Sequence, residues 1–344
     1  MEFTNTIHRI PNHNTTHSGF SSGRKYFGRW AILWGGGLGD LLVIRPLLLA
    51  LAQHGNPPPV YMTTANHLPT IFEEMGLRCS VWRLPRDSFA ALAKVRSAGT
   101  FDMVYTGPQN TLRTMLLSLA IRSRRRSLYR LKERKVFLCE TIGNDLLRFG
   151  FFASKPRPYG PTPFFPNPAP AEKVNLSKPY LVLHPGSKAA WQTTRWPSYQ
   201  WAKVVARLCR MRIAIVLVGT PDEKNLLRKI WIDSGAHPSV SIITNLKLHQ
   251  LESVVKNASG VLCHNSGIMH LATAYQKRTV VLTGSSAHKW RPPYQWVRNI
   301  TSGLCQIACN KYRCPIPFYK ARCITHISFT DVMQTLECHI LSHI

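Results

Sequence analysis

A chain of 344 residues with 44% hydrophobic content holds enough apolar material for two ordinary cores and is not a disordered protein. Lysines and arginines number 44 against 16 acidic residues, and the resulting formal charge of +28 implies an anionic partner: nucleic acid, anionic lipid or a phosphorylated substrate. The longest apolar run, Leu41 to Ala52, is 12 residues interrupted by Arg45 and Pro46, short of the roughly 20 that a membrane span needs, so no transmembrane helix is expected.

In chain order, residues 1–25 are rich in Asn, His, Thr and Ser without an apolar core. They read as a disordered tail, neither signal peptide nor packed element, on a cytoplasmic protein. Arg29 to Trp34 is an apolar run ending in a glycine cluster and Leu38-Gly39-Asp40, followed by the helix-like Leu41 to Ala52, which together make a β-loop-α unit. Val60-Tyr61-Met62, Ser80-Val81-Trp82 and Met103-Val104-Tyr105 are further predicted strands between helical patterns, so residues 26–155 read as one doubly wound α/β domain. Seven prolines fall between Pro156 and Pro170, a density incompatible with helix or central strand, and residues 156–179 are assigned to a semi-rigid linker. A second strand-helix alternation begins at Tyr180-Leu181-Val182-Leu183 and makes residues 180–328 a second domain, with a C-terminal helix over 329–344. The prediction is α/β of GT-B outline: two Rossmann-like, doubly wound domains facing an interdomain cleft, with ligands at the carboxyl ends of the strands.

Four turns can face that cleft. Asp40, on a glycine-shaped turn at a helix start, is placed either as a general base or as an ordinary carboxylate complementing the helix dipole. A dinucleotide site is disfavoured, because the glycines miss the G-x-G-x-x-G spacing and no acidic residue occurs between Asp40 and Glu73. His184-Pro185-Gly186-Ser187-Lys188 follows a strand and leads into Thr193-Thr194-Arg195-Trp196-Pro197; hydroxyls and cations there suit a diphosphate, or form a plain polar loop. Gly219-Thr220-Pro221-Asp222-Glu223 places a carboxylate beyond a strand end, where it can hold a sugar hydroxyl or simply start a helix. Asn265-Ser266-Gly267-Ile268-Met269-His270 reads as strand, tight turn and helix N-terminus, a place where backbone N–H groups bind phosphate and a histidine one turn in adds a hydrogen bond or a positive charge.

Two other clusters stand out. Arg122, Arg124, Arg125 and Arg126, continuing to Lys135, are either an anion-binding patch or a solvated helix face. Cys305, Cys309, Cys314 and Cys323 fall within 19 residues; their spacing only loosely matches structural zinc knuckles and leaves open a metal site, a local disulfide or free thiols. Trp290, Tyr294 and Trp296 near Arg291 are candidates for stacking on a sugar or adenine, or for the core.

Taken together, Gly39-Asp40 with Pro46, His184-Pro185-Gly186, Arg195-Trp196-Pro197, Gly219-Thr220-Pro221-Asp222-Glu223, Gln250-Leu251-Glu252 and Asn265 to Ala272 resemble the heptosyltransferase family, glycosyltransferase family 9, from about Arg29 to about Ile327. The resemblance implies a GT-B enzyme that inverts the anomeric carbon, uses an ADP-heptose donor and a lipopolysaccharide core (Kdo-lipid A type) acceptor, and needs no catalytic metal or cofactor. It implies Asp40 as base and donor contacts at Ser187, Thr194, Glu223, Ser266, Gly267 and His270, to which Lys188, Arg195 and Asn265 are added as neighbours on the same turns. The first domain would then be the acceptor side and the second the donor side, with Arg122, Arg124, Arg125 and Arg126 on an anionic acceptor or the inner face of the inner membrane, bound peripherally, and no nucleic acid expected. Two positions depart from the family: an acidic residue is usual where Asn265 stands, and a lysine where Thr194 stands. The alternative function is a catalytically silent relative that binds anionic glycan or nucleic acid.

Overall fold

Strand β1 (Trp30–Leu33) is buried along its whole length, as are β2 (Val60–Thr63), β6 (Tyr180–His184), β9 (Gly260–His264) and β10 (Thr279–Leu282). Unbroken apolar runs, without in-out alternation, are what a parallel sheet covered on both faces requires. The computed structural model describes residues 28–34, 37–64, 68–107, 112–128, 138–154, 159, 163–165, 179–187, 195–284, 290–304, 314 and 321–344. The predicted tail over 1–25 and most of the predicted linker lie outside the described residues.

The first sheet interleaves β1 and β2 with α1 (Leu38–Gln53), α2 (Leu68–Glu74), β3 (Ser80–Arg83), α3 (Ser88–Arg96), β4 (Phe101–Thr106), α4 (Leu112–Ala120), β5 (Ser123–Ser127) and α5 (Leu138–Arg148). Its order is β3-β2-β1-β4-β5, with every pairing parallel. The second sheet contains β6, β7 (Ala214–Val218), β8 (Val240–Ile243), β9, β10 and β11 (Val297–Ile300), in the order β11-β10-β9-β6-β7-β8 and again all parallel. Its helices are α6 (Ser198–Arg210), α7 (Lys224–Asp233), α8 (Leu248–Asn257), α9 (Gly267–Ala274), the short α10 (Arg322–Thr325) and α11 (Phe329–His339).

Strand order reverses beside β1 in the first sheet and between β6 and β9 in the second. Crevices at such switch points, at the carboxyl ends of strands, are where open α/β sheets bind ligands. The turns bearing Asp40, His184 to Ser187 and Asn265 to His270 follow β1, β6 and β9 respectively.

Helix α1 explains how the halves meet. Leu41 to Leu48 are buried without a break, Arg45 included, because α1 packs against α5 on its own side and α9 on the other. One hydrophobic cluster therefore runs through Trp30, Ile44 and Leu47 of the first half into Val182, Val261 and Met269 of the second. Among the described residues no helix is long and apolar enough to cross a membrane.

The basic stretch corrects an expectation: residues 123–127 are not a helix face but the edge strand β5. Strand β5 pairs with β4 on one side, so its arginines project from a ribbon whose outer edge pairs with no other strand among the described residues. Arg124 lies 3.4 Å from the Asp102 carboxylate, and Arg126 donates to the carbonyls of Ser118 and Ile121 at the end of α4. Cations at a helix C-terminus complement its dipole, which gives Arg126 a local structural role.

Candidate functional site

The site is built where the first turns of α1 and α9 meet. A Cβ added at Gly39 would lie 2.7 Å from His270 Cδ2 and 3.3 Å from its Nε2, and one added at Gly267 would lie 3.0 Å from Leu38 Cβ. A side chain at Gly39 would force His270 to move and one at Gly267 would press on Leu38, so glycine at these two positions favours the close approach of the helix starts. Both N-termini carry unpaired backbone N–H groups and partial positive charge, so an anion is favoured at their junction.

Asp40 sits in the first turn of α1, where its Oδ2 accepts the Gly37 N–H at 2.8 Å and its carbonyl accepts Trp34 Nε1–H at 3.0 Å. The capping geometry weighed from sequence is thus present and aims the carboxylate at the cleft end of the helix. His270, one turn into α9, is buried, and its Nδ1 is 2.9 Å from the hydroxyl of Tyr159. Burial pulls its pKa down to about 3, so at neutral pH it is an uncharged hydrogen-bonding group; of the two roles weighed for it, positive charge is not the one the structure supports.

A second network joins the turns after β6, β7 and β9. Glu223 ends a 3-10 turn after β7 and is buried, accepting the Thr220 N–H at 2.9 Å. Its carboxylate stands 3.7 Å from His184 Nε2 and 3.9 Å from Arg195 Nη2. Burial pushes this carboxyl up, but contact with His184, the Thr220 N–H and the Arg195 charge outweigh that and hold it below the usual carboxylate range. His184 Nδ1 faces Ser266 Oγ at 3.2 Å, and Arg195 donates to the Oγ and carbonyl of Ser187. A Cβ at Gly186 would collide with the Glu223 carboxylate, so that glycine is what admits it. Ser187, Arg195, Glu223 and Ser266 are therefore brought into one connected set, with His184 as the hub that sequence reading placed in a motif but did not select.

Asn265 precedes α9, and its buried Nδ2 has no hydrogen-bond partner, an orphan donor at the mouth of the α9 N-terminus. Lys188 and Thr194 lie outside the described residues, as do Cys305 and Cys309. Of the other two cysteines, Cys314 is partly exposed and Cys323 is buried in α10, and among the described residues no group of three or more His, Cys, Asp or Glu is placed to hold a metal. Arg122, Arg124, Arg125 and Arg126 are on or beside the edge strand and exposed.

The aromatic residues divide. Trp290 stands edge-on to His270, with ring centroids 6.4 Å apart, and borders the junction. Tyr294 and Trp296 instead stack on each other at 4.8 Å, donating to Cys139 Sγ and the Thr273 carbonyl. The stacking on a ligand weighed for these two is replaced by packing between α5 and α9.

His264, to which the sequence reading assigned no role, organises the second network from below. It is fully buried, its Nε2 accepts the Trp196 N–H at 2.9 Å, and its Nδ1 donates to the Gly186 carbonyl at 3.1 Å. One donor and one acceptor satisfy a neutral ring, and burial pulls its pKa to about 3. His264 and His270 make stability depend on pH. Below about pH 6.5 the unfolded chain protonates both rings and the folded chain neither, so unfolding free energy falls as pH drops from about 6.5 toward 3. The slope should approach about 2.7 kcal/mol per pH unit from these two residues, and urea titrations between pH 7 and 4.5 read it. A flat profile there would mean that the rings are accessible to protons in the folded protein.

Comparison with known proteins bears on the second half of the sequence and on the fold. Residues 162–320 match the model of glycosyltransferase family 9 (heptosyltransferase). The lipooligosaccharide heptosyltransferase 2 of Haemophilus influenzae is 24% identical over 119 residues, 34% of each chain, and that of Haemophilus ducreyi is 25% identical over 148 residues, 40% of this chain and 42% of its own. The chain thus aligns with between a third and just over two fifths of the length of these curated relatives. Over the whole fold, a family 9 glycosyl transferase from Veillonella parvula superposes with a TM-score of 0.69 at 18% identity, covering 94% of this chain and 99% of the other. The Escherichia coli ADP-heptose lps heptosyltransferase II gives 0.60 at 17% identity, covering 91% and 99%. Residues 162–320, which carry Glu223 and the α9 turn, are thus similar to glycosyltransferase family 9 (heptosyltransferase), and the two parallel α/β sheets share the fold of these solved structures.

Proposed function

We propose that the chain is an inverting glycosyltransferase that moves a heptose-like sugar from an ADP-activated donor to an anionic lipopolysaccharide core precursor. The observation that carries this reading is the meeting of two helix N-termini, with Asp40 on one and His270 on the other. The α9 backbone N–H groups and His270 receive the departing diphosphate, where they favour charge as it develops. Asp40, on the acceptor side, takes the proton from the attacking hydroxyl. Ser187, Arg195, Glu223, Ser266 and the orphan amide of Asn265 hold the donor, together with Lys188 and Thr194 on the same turns. Arg122, Arg124 and Arg125 provide an exposed cationic edge on the acceptor-side domain for the anionic glycan and the inner membrane surface, each basic residue near such a surface contributing about 1 kcal/mol.

Thermal-shift measurement against ADP-, GDP-, UDP- and CMP-sugars tests the donor, followed by transfer assays with and without EDTA. ADP-heptose should stabilise the protein and support transfer that survives the chelator, since backbone amides and basic side chains supply the positive charge a metal otherwise would. Loss of transfer on EDTA and recovery with Mg²⁺ or Mn²⁺ would overturn the metal-independent mechanism. Stabilisation by ADP-heptose without transfer to any core acceptor would favour the catalytically silent reading, which the neutral Asn265 motivates.

A further inference from the structure

Tyr159 is an unusual occupant of its position. It is a non-glycine residue in the left-handed region, with φ 62°, yet it is only 2% exposed. Such a backbone conformation is costly for a tyrosine and persists when surrounding contacts over-determine it. Those contacts are visible: the Tyr159 carbonyl accepts Arg45 Nη1–H at 3.5 Å, the ring packs edge-on to His270 with centroids 5.7 Å apart, and the hydroxyl meets His270 Nδ1 at 2.9 Å. The linker thereby reaches into the junction of α1 and α9 through one side chain.

We propose that Tyr159 is a positioning residue that locks His270 in the tautomer with its proton on Nε2, so that a neutral imidazole presents an N–H at the α1–α9 junction. The inference deepens the role given to His270 above and rests on that reading. Its argument is one of proton accounting. Among the described residues the buried Tyr159 hydroxyl has one hydrogen-bond partner, His270 Nδ1. If Nδ1 carried the proton and donated, the phenol proton would be buried without an acceptor, at a cost of about 1–3 kcal/mol. With the phenol donating, Nδ1 accepts and the ring proton resides on Nε2. That nitrogen has no partner among the described residues and lies on the ring edge facing Gly39, at the start of the helix that carries Asp40. A donor held there needs no reorientation as negative charge develops on a leaving group. Burial drives the phenol's pKa up and the imidazole's down, so neither ionises near neutral pH.

The test uses full-length protein labelled with ¹⁵N-histidine and no ligand, the His270 ring signals being assigned by their loss in His270→Gln. Wild type should show one neutral form protonated on Nε2. In Tyr159→Phe, which keeps the ring and the packing, Nδ1 loses its donor and the signals should move toward a tautomer mixture. Turnover should fall about tenfold with the donor KM nearly unchanged, the worth of one hydrogen bond realised at the transition state. His270→Gln places an amide nitrogen close to the Nε2 position and has no tautomer to set, so adding Tyr159→Phe to it should cost no further turnover. A wild-type ring protonated on Nδ1 or on both nitrogens would overturn the proposal, as would an unchanged Nε2–H form in Tyr159→Phe. If the spectra are as expected but no nucleotide sugar is ever turned over, the positioning role stands and the transferase reading fails.

Discussion

Replacing Asp40 with alanine should lower turnover by about 10²-fold or more while donor affinity stays nearly unchanged, the signature of a lost general base. The structure adds a control that the sequence alone did not suggest. Asp40 also accepts the Gly37 N–H at 2.8 Å, so alanine removes both a base and a helix-start hydrogen bond. Asparagine at this position retains an amide oxygen for Gly37 but cannot take a proton. If Asp40 acts as base, Asp40→Asn should be about as inactive as Asp40→Ala and fold with nearly wild-type stability, whereas Asp40→Ala should lose up to about 1 kcal/mol. Recovery of turnover in the asparagine variant would reduce Asp40 to a helix-capping residue. Because Gly39 places this turn against His270, a base here is within the same junction as the proposed diphosphate site.

The second large effect concerns stability and lies at a cluster outside the proposed chemistry. Glu252 of α8 is fully buried, and its Oε1 accepts the Phe164 N–H at 2.6 Å together with the Tyr275 hydroxyl. Arg45 of α1 is 5% exposed, donates to the Pro163 carbonyl at 3.1 Å, and lies with its guanidinium 4.8 Å from the centre of the Phe164 ring. Burial pulls the arginine's pKa down to about 10, while the charge of Glu252 acts in the opposite direction; it remains a cation at neutral pH. A buried cation whose countercharge is removed is costly, so Glu252→Ala should lower the unfolding free energy by about 3–5 kcal/mol, read from urea denaturation at pH 7. Glu252→Gln, which keeps an acceptor for Phe164 but not the charge, should fall between that variant and wild type. A loss within about 0.5 kcal/mol for alanine would show that Arg45 is balanced by other groups. The cluster clamps residues 163–164 between α1 and α8 and so helps to hold the two halves in register, which links its stability to the geometry of the junction.

Much of the fold was legible because it is written in local patterns. Apolar runs such as Tyr180 to Leu183 and Gly260 to Cys263, each ended by a polar or glycine turn and followed by helical periodicity, specify strand-turn-helix units without reference to the rest of the chain. The turns carrying Asp40, Glu223 and His270 could be singled out for the same reason, since helix starts and their capping residues are set within a few positions. Strand β5 was not legible. Ser123-Arg124-Arg125-Arg126-Ser127 has no apolar alternation, and it becomes a strand because β4 offers it an edge and α4 offers carbonyls to Arg126. His264 could be assigned no role because a histidine at the end of a buried strand has no local mark; its partners are the Trp196 amide 68 positions away and the Gly186 carbonyl 78 away. Composition and periodicity by themselves determined two parallel α/β units with polar turns at the strand ends. Which turns share one site, that burial keeps His270 neutral beside Tyr159 111 positions earlier, and that Arg45 is buried within the electrostatic influence of Glu252 on α8, were decided only by tertiary structure. Those pairings depend on strand order and on the desolvation that follows from packing α1 against α9, neither of which a local sequence pattern carries.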